Sequence, residues 1–172
     1  IESLPTYRPV IGCIIPAYNE ALTIAEVIRR FSAALPEAEL VIVDNRSSDN
    51  TGELAKTTLA ECGAKGRVLF ELRPGKGNAV RRAFHDVVAD VYVMIDADMT
   101  YHPEDLPAML APVLNGEADL VVGDRLSTGD YRKENKRPFH NLARIDRRVV
   151  DGSAPLDFVG DQRVLPRAHR RV

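Results

Sequence analysis

The chain has 172 residues, 45% hydrophobic and 28% charged, a composition that supports one soluble domain with a real core. A formal net charge of −2 argues against strong nucleic-acid affinity, and no apolar run approaches the ~18 residues of a membrane span. Opening on Ile1 rather than Met, with no basic-then-apolar leader, the sequence is expected to be a trimmed chain without a signal peptide.

In chain order, "VIGCIIP" (10–16) predicts a buried strand, a short apolar run closed by proline. In "NEALTIAEVIRRFSAAL", Ile24, Val27, Ile28 and Phe31 recur at helical spacing and predict an amphipathic helix. "ELVIVDN" is a second strand; "SSDNTGELAKTTLAECG" offers a polar cap, a helix and Gly63 as a stop. "RVLFEL" is a third strand, "GKGNAVRRAFHDVVA" a loop and helix, and "VYVMIDAD" a fourth strand. "HPEDLPAMLAPVLNG" predicts a short helix with Pro103 near its start, and "ADLVVGDR" a fifth strand. Cys13 and Cys62 are expected to be buried thiols of a cytosolic protein, because they are far apart and form no metal spacing.

Nearly continuous apolar strands alternating with helices predict an α/β fold, a mostly parallel sheet covered by helices on both faces. Ligands of such sheets lie beyond the carboxyl ends of the strands. "PAYNE", "DNRSSD", "DAD" and "GDR" all fall there and should converge.

Asp96 and Asp98 are at spacing two on extended chain, so both can point to one side. A divalent Mg2+ or Mn2+ would offset two adjacent buried carboxylates, since such ions take one or two carboxylates plus phosphate oxygens. A solvated turn with Asp98 capping the next helix is the alternative. Tyr18 and Glu20 after the first strand can serve a nucleoside, or simply form a capping loop. Asp44 at the tip of the second strand can accept from a ribose hydroxyl or base N–H, or belong to a helix cap. Lys76 between two glycines suggests a phosphate loop, although neither GxxxxGK[ST] nor GxGxxG is present. Arg125 could grip phosphate through its planar fork, or lie on the surface. His85, His102, His140 and His169 have no ligand spacing, and no nucleophile–base pair is evident.

Taken together, "IIPAYNE", "VIVDNRSSDNT", "RPGKGNAVRRAF", "YVMIDADMTYHPEDL" and "LVVGDR" resemble, in that order, family 2 glycosyltransferases of the GT-A (Rossmann-like) fold. The branch most resembled is that of dolichol- and polyprenyl-phosphate sugar (mannose) synthases, over roughly residues 10–141. The resemblance implies that Pro16, Ala17, Tyr18 and Glu20 cradle a nucleoside, with Asp44 on the base; Lys76 stays the nucleotide-sugar candidate of the glycine-rich loop, with an ordinary turn before a helix as its alternative. It puts Asp96 and Ala97 at the ribose and diphosphate and gives the metal to Asp98, while the spacing alone allows Asp96 and Asp98 to share it. Asp98 and Arg125 would be the catalytic residues, Arg125 meeting the acceptor phosphate or the sugar diphosphate. The implied reaction moves a hexose from a nucleotide-diphosphate sugar to a polyprenyl phosphate, with Mg2+ or Mn2+, at the inner face of the cytoplasmic membrane. Two other readings share the donor site. One is transfer to a sugar of a surface polysaccharide, which would need a carboxylate base beyond Asp96 and Asp98; none is obvious after Arg125, Glu134 aside. The other is a nucleotide-sugar-binding fragment without transfer activity.

The chain departs from the pattern at Thr100, where the synthases often carry glutamine, and at Asp44-Asn45-Arg46, where Asp-Asp-Gly is usual. The expected division is a nucleotide-sugar-binding domain at 8–143 and an atypical arginine-rich tail at 144–172, truncated or disordered. In that tail Asp157 and Arg163 fall where the family's acceptor segment has Asp and Arg, but its Ser-Gly-Phe/Tyr is absent: either the segment is divergent but working, with Arg163 the candidate acceptor residue, or the end is truncated or frame-shifted and the two matches are accidental.

Overall fold

The computed structural model describes residues 7–123 and 163–166. The elements run β1 (Ile11–Ala17), α1 (Ile24–Ala34), β2 (Glu39–Asp44), α2 (Thr51–Glu61), β3 (Gly66–Phe70), α3 (Lys76–Asp86), β4 (Val91–Met94), α4 (Leu106–Leu114), β5 (Val121–Val122) and β6 (Arg163–Pro166). A single 3-10 turn, Pro103–Asp105, leads into α4.

The strands form one sheet in the order β3-β2-β1-β4-β6-β5. β1 through β4 are mutually parallel. β6 pairs antiparallel with both β4 and β5, so β5 keeps the direction of β4. The α/β, mostly parallel sheet read from the sequence is the one found, and β6 accounts for the word "mostly". The fifth strand is shorter than expected: of "ADLVVGDR", only Val121–Val122 is strand among the described residues. Its neighbour is β6, contributed from far along the chain. The domain boundary expected at residue 143 falls outside the described residues.

Alternation along the strands builds the two layers. Cys13, Ile15 and Ala17 of β1, Leu40 and Ile42 of β2, and Val91 and Val93 of β4 point to one face, where they meet α1, α2 and α4. Ile14, Val41, Val43 and Tyr92 point to the other, where they meet Ala79 and Ala83 of α3. A side-chain period of two forces this split. The spaced apolar residues Ile24, Val27, Ile28 and Phe31 are the buried stripe of α1. Alanines on the buried side of α3 leave room for close approach to β1 and β2.

Gly63 takes a left-handed φ of 57° just past α2, as its role as a stop requires. Cys13 is buried, but Cys62 is exposed, which corrects the expectation of two buried thiols. Cys62 is the C-terminal cap of α2 and lies where the helix runs out into solvent. Burial pushes the Cys13 thiol up to about 12, so it is not a nucleophile.

From β1 the chain winds outward through β2 to β3, then returns past β1 to β4. The order reverses between β1 and β4, and α3 of the returning connection covers the opposite face from α1 and α2. Such a switch point leaves a crevice at the carboxyl ends of the strands.

Candidate active site

The crevice is present and has a local cause. Ile14 O accepts the Ile95 N–H at 3.1 Å, so the alternate residue Pro16 faces the β4 side as well. Proline has no N–H to give. The β1–β4 ladder accordingly ends at Ile14 and Met94, while the β1–β2 ladder continues to Ala17 and Asp44. The resulting open cleft has a volume of about 280 Å³ and is lined by Pro16, Ala17, Tyr18, Glu20, Asn45, Lys76, Ala79, Asp96, Ala97 and Asp98. That volume is at the small end for small-molecule sites.

The loops after β1 and β2 are laced together. The Asn19 N–H donates to Ser47 Oγ at 3.0 Å, and the Ser48 N–H donates to Asn19 Oδ1 at 2.8 Å. The Glu20 N–H donates to Thr51 Oγ1 at 2.8 Å, and the Ala21 N–H to Asp49 Oδ2 at 3.1 Å. Asp44 Oδ1 accepts the Ser47 N–H at 2.9 Å. Asp44 is buried, and a Cβ on Gly52 would come within 2.6 Å of its Oδ2. Asp44 therefore lies behind this lacing rather than on the cleft wall, unlike the other sequence-derived candidates in the described residues.

The loop after β4 carries the carboxylates. Asp96 sits between buried Ile95 and Ala97. Its Oδ1 is ion-paired with the Lys76 ammonium, and Tyr101 OH donates to its Oδ2 at 3.2 Å. Asp98 is exposed; its Oδ1 accepts both the Thr100 N–H at 3.1 Å and the Thr100 hydroxyl at 2.6 Å. Asp98 thus closes a turn on Thr100 and does not cap the following helix. Thr100, at the position where glutamine is frequent, is what orients that carboxylate. Desolvation raises the Glu20 carboxyl above its ordinary range; the Thr23 hydroxyl opposes this, and the charges of Asp98, Asp96 and Asp49 add to it.

Lys76 therefore faces an excess of carboxylates. The donor set suits a hard divalent ion that takes one or two carboxylates and fills its shell with phosphate oxygens and water. It does not suit an ion held by protein alone, because the described residues contain no group of three or more His, Cys, Asp and Glu side chains able to hold one. Of the two carboxylates expected to share a metal, only Asp98 has an oxygen without a partner among the described residues; both oxygens of Asp96 are engaged. Arg125 and Glu134 lie outside the described residues, as does the side chain of Arg163.

Sequence reasoning missed three participants: Asn45, Ala79 and Tyr101. Asn45 had shown itself only as a departure from Asp-Asp-Gly. Tyr101 stands five residues beyond Asp96, a spacing with no meaning until the loop folds back.

The model of the family described as "Glycosyl transferase family 2" matches residues 13–170. The chain belongs to that family. It is 41% identical to protein RfbJ of Shigella flexneri over 129 residues, 73% of this chain and 95% of that protein. It is 33% identical to the dolichol-phosphate mannosyltransferase of Pyrococcus furiosus over 153 residues, 88% of this chain but 42% of that one. The chain thus spans less than half the length of the latter relative. The crystal structure of Mycobacterium tuberculosis glucosyl-3-phosphoglycerate synthase in complex with Mg2+ and uridine diphosphate superposes with a TM-score of 0.64 at 28% identity, covering 92% of this chain and 56% of that one.

Proposed function

We propose that the cleft binds the nucleoside-diphosphate part of a sugar donor together with Mg2+ or Mn2+. The protein to which it belongs would transfer a hexose from that donor to a polyprenyl phosphate. The observation that carries this reading is the convergence of Glu20, Lys76, Asp96 and Asp98 on one cleft at the switch point of a parallel sheet. Likeness to a dolichol-phosphate mannosyltransferase supports the acceptor class.

In this reading Pro16, Ala17, Tyr18 and Glu20 form the wall for the nucleoside. Asp44 orients the base side by holding the loop at Ser47. Asp98 holds the metal, with Asp96 and Ala97 at the ribose and diphosphate. When bound, the metal would neutralise charge that develops on the departing diphosphate. Lys76 supplies a cation to the same phosphates, exchanging its bond to Asp96 for one to phosphate oxygen. The acceptor is already an anion and needs no strong general base; Arg125 and Arg163 would bring it against the sugar despite Coulomb repulsion between phosphates. The site of action would be a cytoplasmic membrane surface. Among the described residues no helix is long and apolar enough to cross a membrane, so association would be peripheral in that part of the chain.

The direct test is titration of UDP and GDP with and without Mn2+, followed by transfer of radiolabelled sugar into lipid extract. Metal-dependent nucleotide binding and labelled lipid are expected. Label appearing in a glycan instead of lipid would move the assignment to a polysaccharide acceptor. Binding without any transfer would leave a donor-binding fragment.

A further inference from the structure

We infer that Asn45 is a positioning residue that sets Lys76 for a nucleoside diphosphate, an inference that rests on the nucleotide reading of the cleft. Asn45 follows β2 and is buried. Its Nδ2 donates to Glu71 O at 3.0 Å and to Arg73 O at 2.7 Å. Its Oδ1 accepts the Gly75 N–H at 2.7 Å. Its own backbone N–H donates to Ala17 O at 2.9 Å. The amide can face only one way, because carbonyls only accept and a backbone N–H only donates.

One residue therefore joins the ends of β1 and β2 to the 71–75 loop, by its backbone N–H on one side and its side-chain amide on the other. The residue after that loop is Lys76, first in α3, whose ammonium holds Asp96 across the cleft. Two further contacts brace the loop. The Glu71 N–H donates to Asp44 O at 3.0 Å, and the Glu71 carboxylate accepts the Arg73 backbone N–H at 2.7 Å as well as its guanidinium. Gly75 turns the chain at a φ of 110°, which favours glycine. Asn45 borders the cleft, but both of its amide N–H groups and its oxygen are given to backbone. It acts through the place where Lys76 begins its helix.

Leucine at this position has nearly the same size and none of the chemistry. It would leave two carbonyl oxygens without their donor and the Gly75 N–H without its acceptor. The loop would have to move, and Lys76 with it, without a cavity being made.

The experiment is a double-mutant cycle of Asn45→Leu and Lys76→Ala, read by calorimetric titration of UDP and GDP with Mn2+, and of uridine and guanosine. Asn45→Leu is expected to weaken diphosphate binding by about tenfold or more, the equivalent of one charged contact. That loss should vanish in the Lys76→Ala background and be absent for the nucleosides. Amide exchange should rise across 71–78 and not across 19–23. An equal loss in both backgrounds, or an equal loss for nucleosides, would overturn the inference. If Asn45→Leu does not fold, Asn45→Ser, which keeps one donor, runs the same cycle. Failure of the unaltered chain to bind UDP or GDP would instead overturn the nucleotide reading, and this inference with it.

Discussion

The interior of the sheet and its carboxyl rim are built from different forces. In the interior, β1, β2 and β4 are apolar on both faces, and burial with an alternating period sets every side chain. At the rim, Asn19, Arg46 and Met99, one in each loop after those strands, adopt left-handed φ values of 56°, 63° and 64°. Each such residue costs roughly 1–2 kcal/mol relative to ordinary backbone. Around Asn19 and Arg46 cross-loop hydrogen bonds hold the conformation, and around Met99 the Asp98–Thr100 turn does so. The interior is therefore sensitive to volume, whereas the rim is sensitive to single atoms and their charge.

The largest expected effect tests the interior. Ile42 is fully buried, and Ile42→Ala should lose about 2–5 kcal/mol in urea unfolding. Nucleotide affinity of the molecules that remain folded should change little. A collapse of affinity in folded protein would break the distinction between the two regions.

A pair of glycines sharpens it. A Cβ at Gly66 would lie 2.4 Å from Leu40 O, a backbone atom of the β2–β3 ladder that has no freedom to give. Gly66→Ala should destabilise by about 1–3 kcal/mol through overpacking. A Cβ at Gly52 would meet the Asp44 carboxylate instead, while alanine gains about 0.5–1 kcal/mol of helix propensity there. Gly52→Ala should leave stability nearly unchanged and weaken nucleotide binding, as titration would show. Equal destabilisation by both substitutions would argue that rim and interior respond alike.

Asp98→Asn keeps the acceptor that Thr100 uses and removes only charge. Its unfolding free energy should shift by no more than about 0.5 kcal/mol. Thermal stabilisation by UDP or GDP should lose its Mn2+ dependence. An unchanged manganese response would remove Asp98 from the metal site.

The smallest effect is confined to acid. The Glu71 side chain is only 4% exposed, yet hydrogen bonds from the Arg73 guanidinium and backbone N–H outweigh desolvation and lower its carboxyl from 4.5 to about 2. A depressed carboxyl pKa contributes stability that is complete above the ordinary value and is lost as pH falls through the native one. Glu71→Gln should therefore flatten the stability profile between pH 4.5 and about 2. An unaltered acid limb in denaturant titrations would show that the Glu71–Arg73 bond does not persist in solution.

Much of this molecule is readable from neighbouring residues alone. Strand runs, the stripe on α1 and the stop at Gly63 depend on periodicity and local chirality, which a sequence displays directly. Asp96 and Asp98 were legible as a pair because two carboxylates at the end of an apolar run demand compensation. What stayed hidden depends on groups distant along the chain. The partner of Asp96 is Lys76, the neighbour of β5 is β6, and Asp44 lies behind a lacing of Asn19, Ser47 and Asp49.

By itself the sequence determined that the chain forms an α/β sheet and that its polar clusters follow the strands, because burial and period act over a few residues. Only the tertiary structure decided which of those polar atoms meet. Asn45 bonds to carbonyls 26 and 28 residues away, and no local pattern encodes that distance. Directional bonds between remote loops exist only after the hydrophobic layers have placed the loops side by side.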